Sequence, residues 1–127
     1  MRTFAVGDTF VHERTFDHDD VLAFVRISGD AGAHHVAPAP DGRRLVHGLL
    51  TATLPTKLGG DLDYLAREMH FEFLRPVFTG DTIRCEMHVA EVEHRPDRVR
   101  LALVGACTNQ HGEDVLRVRS RGIVRVS

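Results

Sequence analysis

Apolar residues recur along this chain with two different periods, and the change falls near its middle. In the first half, Val21, Phe24, Val25 and Ser28 follow at helical spacing, the stripe of an amphipathic helix. Phe16-Asp17-His18-Asp19-Asp20 precedes them and predicts a helix start, with Asp17 as N-cap and acidic residues in the first turn. Gly29 predicts its end. A short strand over roughly Thr9 to Arg14 is expected before it. A second run opens at Val46-His47-Gly48 and continues through Leu49, Leu50, Ala52, Thr53 and Leu54 to Thr56, Lys57 and Leu58. It is apolar on nearly all sides, which predicts a buried helix. Pro55 within it predicts a kink or a tight final turn, and Gly59-Gly60 a stop.

The second half alternates. Arg67 to Leu74 places Met69, Phe71 and Phe73 on one face. Thr82 to Val92 sets Ile83, Cys85, Met87 and Val89 against Arg84, Glu86 and His88. Arg98 to Asn109 turns Val99, Leu101, Leu103 and Cys107 inward, and Val115 to Val126 sets Leu116, Val118 and Ser120 against Arg117, Arg119 and Arg121. Period-two alternation marks antiparallel strands with one face on a core. Thr79-Gly80-Asp81, His94-Arg95-Pro96-Asp97 and Gln110-His111-Gly112-Glu113 supply the turns between them. The pattern predicts an α+β fold in which a curved antiparallel sheet wraps around one long buried helix.

The length of 127 residues suits a single domain, residues 1–127. A net charge of −2 gives no basic field for nucleic acid or anionic lipid. No apolar run reaches the length of a bilayer span, and the N-terminus lacks the pattern of a signal peptide, so a cytoplasmic location is expected. Cys85 and Cys107 match no zinc spacing. The turn near Arg95-Pro96 would place them close to opposite each other, and two reduced, buried thiols are expected. Arg117, Arg119 and Arg121 form a basic stripe that either meets the phosphates of a ligand or pairs with Glu86 and Glu72 across a solvated sheet face.

Three segments carry groups suited to chemistry. In Ser28-Gly29-Asp30-Ala31-Gly32-Ala33-His34-His35, a carboxylate and an imidazole five residues apart can reach one water, the first to orient it and the second to exchange its proton. The plainer reading is that Asp30 caps a turn and the histidines are solvated. In Val46-His47-Gly48-Leu49-Leu50, Gly48 opens a helix, where free N–H groups can stabilise an oxyanion; the plainer reading is close packing. Leu74-Arg75-Pro76-Val77 with Gly80-Asp81 is the third. Asp30, His34, His35 and His47 lack the spacing of a helical metal motif, and no metal site is expected.

In this order the segments resemble the MaoC-like dehydratases, which include the (R)-specific enoyl-CoA hydratases. The resemblance runs from Gly7-Asp8 to the last strand. It implies a hot-dog fold, a homodimer with the active site at its interface, and an acyl-CoA or acyl-carrier-protein thioester as substrate. It implies Asp30 and His35 as the catalytic pair and Gly48 as backbone donor to the thioester oxygen. His47, Leu49, Thr56 and Phe71 are implied at the substrate, with Thr56 supporting Asp30. No cofactor is implied beyond the thioester handle itself. The chain departs from the family pattern in carrying Gly32 and Ala33 where Asn and Pro are usual, and Ala37 where an acidic residue is common. The stretch from His35 to His47 is also too short for a covering helix. A hot-dog acyl-CoA thioesterase and a non-catalytic acyl-thioester-binding partner subunit are the alternatives the same residues allow. The inward Phe71 and Phe73 favour short or medium acyl chains.

Overall fold

The computed structural model describes residues 3–126. Its first strand, β1 (Thr9–Thr15), leads into α1 (His18–Ser28). Asp17 caps that helix: its side chain accepts from the Asp20 N–H while the Asp20 carboxylate accepts from the Asp17 N–H. Gly29 closes α1 with φ of 75° and donates its N–H to Val25 O at 2.8 Å, a left-handed turn that glycine adopts without steric cost.

The segment carrying His34 and His35 is ordered as one helical turn, α2 (Ala33–Val36). The apolar run beyond it forms two pieces, α3 (Gly48–Thr51) and α4 (Thr53–Asp61), meeting at Ala52. This corrects the expectation of one long buried helix. Pro55 has no N–H to offer the Thr51 carbonyl four residues back, so the hydrogen-bond ladder breaks at that turn. Leu50, Leu54, Pro55 and Leu58 are buried, whereas Leu49, Thr56 and Lys57 are exposed; the helix is therefore one-sided rather than buried all round. Gly59-Gly60 does not stop it, since α4 runs on to Asp61.

Four further strands follow: β2 (Tyr64–Phe73), β3 (Thr82–His94), β4 (Arg98–Thr108) and β5 (Asp114–Arg125). All pair antiparallel in the order β1-β3-β4-β5-β2. Their inward rows, including Ile83, Cys85, Val89, Leu101, Leu103, Leu116 and Val118, close on Leu54 and Leu58 of α4. The expected α+β, hot-dog arrangement of a sheet around a helix thus holds, with the helix in two parts.

Two details of the sheet differ from the alternation reading. β2 begins at Tyr64 and bulges between Ala66 and Glu68. Its Met69 and Phe73 face the helix side yet remain 41% and 56% exposed, because β2 is an edge strand. On the outer face, Arg117 lies opposite Glu72 in register but ion-pairs with Asp114, Glu86 pairs with Arg84, and Arg121 reaches Glu91 and Glu68. Cys85 and Cys107 are direct cross-strand partners, both free and buried.

Candidate active site

Asp30 follows the glycine that ends α1. Its N–H donates to Ser28 Oγ at 3.0 Å, and its Oδ1 accepts from the Gly32 N–H at 3.1 Å. This local turn, built by a short carboxylate side chain, leads straight into α2, where the His35 N–H donates to Gly32 O at 2.9 Å. The glycine at 32 leaves room for a neighbour: a Cβ there would lie 2.8 Å from the His34 ring. The Gly32 N–H, more than any other contact, holds the Asp30 carboxyl below the usual range.

His35 is buried at 5% exposure while His34 is exposed. The His35 Nδ1–H donates to the carbonyl of Leu45 at 2.7 Å. A carbonyl only accepts, so the neutral ring carries its free lone pair on Nε2. That nitrogen lies 3.8 Å from Asp30 Oδ2, too far for a direct hydrogen bond and suited to two groups holding one water oxygen between them. Leu45 is itself fixed by an antiparallel bridge to Phe78, and the Val46 N–H donates to Val77 O at 2.8 Å. The Arg75-Pro76-Val77 segment therefore serves the site as the rail that carries Leu45 and Val46. Gly80-Asp81 is a turn: Asp81 Oδ2 accepts from the Phe78 N–H at 2.9 Å, and Gly80 has φ of 94°.

A cleft of about 700 Å³ brings Asp30, His35, His47, Gly48 and Leu49 together, with Phe73 on its far wall. Gly48 sits at the first position of α3, where the N–H has no intrahelical acceptor. A Cβ on it would stand 2.6 Å from the Phe73 ring, so a side chain here requires that ring to move. Leu49, 59% exposed, borders the open side.

Two expected residues lie elsewhere in the protomer. Thr56 donates through Oγ1 to Ala52 O at 2.9 Å and lines a separate apolar recess with Phe10, Leu58 and Tyr64. It lies on α4, beyond the break at Ala52 that separates it from Gly48 on α3. Phe71 packs against the core, and Phe73 takes its place on the cleft. Thr51, which the sequence reading did not select, is buried on the same cleft.

Ligand atoms of Asp30, His35 and His47 lie within 4.8 Å of one another, a spacing that would also admit a metal ion. The two imidazoles are stacked, however, with centroids 3.6 Å apart and planes 16° from parallel. Ring-nitrogen lone pairs lie in the ring plane, so here they run side by side rather than toward one ion.

The chain belongs to the FAS1-like dehydratase domain family, whose region model matches residues 28–118 and so spans Asp30, His35 and Gly48. It is 33% identical over 122 residues to a 3-hydroxybutyryl-CoA dehydratase of Methylorubrum extorquens, covering 87% of this chain and 74% of that protein. Among solved structures it resembles the (R)-hydratase from A. caviae involved in PHA biosynthesis, with 25% identity, a TM-score of 0.83 and coverage of 96% and 98%. An unliganded R-hydratase from Pseudomonas aeruginosa shares the fold at 22% identity, with a TM-score of 0.80 and coverage of 98% and 87%. The resemblance read from the three sequence segments holds: this is a hot-dog domain of the MaoC-like hydratase and dehydratase class.

Proposed function

We propose that the chain is an (R)-specific enoyl-CoA hydratase, running equally as a 3-hydroxyacyl-CoA dehydratase, and that Asp30 and His35 carry the reaction. The observation behind this is the facing of the Asp30 carboxylate and the free Nε2 lone pair of His35 across 3.8 Å. In the hydration direction a water sits between them. His35 Nε2 takes one proton, the oxygen bonds to C3 of the enoyl thioester, and the alkene electron pair moves toward the thioester carbonyl. The Gly48 N–H donates to that developing oxyanion. The imidazolium, beside the Asp30 carboxylate, returns the proton to C2, so water is added with no net change in protonation. The name of the A. caviae relative supports the (R) hand.

Each step uses an acid–base pair and a backbone donor, so no metal or redox cofactor is proposed. Dialysis against a strong chelator is expected to leave turnover unchanged. Phe73 and Leu49 narrow the cleft beside Gly48, which supports short acyl chains, as does the four-carbon substrate in the name of the Methylorubrum relative. A series of enoyl-CoA esters of increasing length checks this: kcat/KM that keeps rising through long chains would exclude it.

The central test is loss of alkene absorbance with crotonyl-CoA, with the hand of the 3-hydroxy product determined. Asp30→Asn and His35→Ala are each expected to lower kcat/KM by about 10²- to 10⁴-fold. Their effects do not add, because both groups hold one water. His34→Ala retains most activity. Loss in the His34 variant with survival of the His35 variant would move the base to the wrong side of α2 and sink the assignment. The active form is proposed to be a homodimer, for reasons argued below at the scale of the molecule.

A further inference from the structure

His47 is the third imidazole of the cleft, and its surroundings differ from those of a substrate-binding side chain. It is 2% exposed. Its Nε2 lies 2.9 Å from the main-chain oxygen of Asp30; a carbonyl accepts, so Nε2 carries the proton and donates. One face of the ring stacks on His35, and Phe24 packs against it with centroids 4.7 Å apart. The remaining nitrogen, Nδ1, is buried with no hydrogen-bond partner among the described residues. His47 is also the residue directly before Gly48, at the N-cap of α3.

These contacts set a cost against a purpose. A buried acceptor without a partner is unfavourable for folding, and an apolar ring of similar size would avoid that penalty. Packing alone therefore gives no reason for imidazole at this position. What an apolar ring could not provide is the N–H that holds the Asp30 carbonyl. That bond ties the turn bearing the carboxylate to the residue adjoining the oxyanion donor. The same ring lies flat against His35 and limits rotation of the base out of line with Asp30.

We propose that His47 is a positioning residue for the hydration chemistry: it fixes the Asp30 turn through its Nε2–H and the plane of His35 through stacking, and acts without touching substrate. The inference builds on the hydratase reading given above, and it replaces the substrate contact expected of His47 from the family resemblance.

Long-range proton–nitrogen NMR of the wild-type protein tests the geometry without any turnover. His47 is expected to carry its proton on Nε2 and His35 on Nδ1; a His47 proton on Nδ1 would overturn the proposal. His47→Phe keeps the stacked ring and removes the donor. It is expected to lower kcat by about 10- to 100-fold, as small misplacements of reacting groups do, while KM stays within about twofold and thermal stability does not fall. His47→Gln restores an N–H at nearly the same reach but gives up the stacked ring, and is expected to recover only part of the lost kcat. Full turnover in the Phe variant, or a Phe variant that fails to fold, contradicts the proposal. If the wild-type protein hydrates no enoyl thioester, the functional reading fails by itself, and the nitrogen assignment still decides the placement of His47.

Discussion

Asp30 titrates below the ordinary carboxyl range chiefly through one main-chain contact. The Gly32 N–H is the largest influence and draws its pKa below the ordinary value; partial desolvation opposes it, and the neighbouring imidazoles add smaller pulls the same way as the N–H. The sign follows directly. A carboxyl depressed in the folded state contributes stability that is present above its unfolded value and is lost as pH falls through the folded one. Asp30 therefore stays ionised throughout the neutral and mildly acidic range in which a His base works. Gly32→Pro removes the N–H at a residue whose φ of −53° already suits proline, and the exposed His34 ring can move from the added carbons. The Asp30 titration midpoint, followed by the carboxyl carbon NMR shift, is expected to rise toward its ordinary value. An unchanged midpoint would show that the N–H is not what lowers it. The spacing of Asp30 and His35 made this pair legible in sequence. Which nitrogen of His35 faces the carboxylate was not, because Leu45, ten residues on, decides it. The stacking of His47 comes from another element again and leaves no local signal.

At the scale of elements, the readings held where the signal was local. Asp17 and Gly29 bound α1 as their side-chain and backbone chemistry dictates. Pro55 does interrupt the second helix, one turn ahead of itself, because the carbonyl it leaves unpaired is that of Thr51. Gly59-Gly60 misled because packing on Tyr64 and the sheet outweighs the modest helix penalty of glycine. The β3–β4 hairpin yields a testable consequence. Its register sets Cys85 opposite Cys107, and the Cys85 contact together with burial drives the Cys107 thiol pKa well up, away from the thiolate that reacts. Neither thiol is expected to react with a disulfide reagent in the native protein at neutral pH, and both are expected to react after unfolding under reducing-agent-free, oxidant-free conditions. A native disulfide, or rapid labelling of the folded chain, would contradict the buried-thiol assignment.

At the scale of the whole molecule, the order of elements was legible but the order of strands was not. Alternation suggests four successive strands, yet β2 lies beside β5, at the opposite edge from β1. The segment 74–81 crosses from one side to the other while carrying the rail for Leu45 and Val46. That topology leaves β2 as an open edge next to the active cleft. Such an edge is a template for further strand pairing, and here it also bears Met69 and Phe73, large apolar side chains left exposed on the helix side. β1, the other edge, carries Thr9, Val11, Glu13, Arg14 and Thr15 as its exposed residues and offers much less apolar surface. Pairing of two β2 edges about a twofold axis would join the sheets and cover Met69 and Phe73. It would also bring a second copy to the side of the cleft where Leu49 is open. Light scattering at micromolar concentration is accordingly expected to give twice the 14.2 kDa chain mass. Met69→Arg places a charge in that junction, away from Asp30, His35 and Gly48, and is expected to shift the protein toward monomer and to lower kcat/KM in parallel. A wild-type monomer with full turnover, or a monomeric Met69 variant as active as its parent, would show that one protomer encloses a complete site.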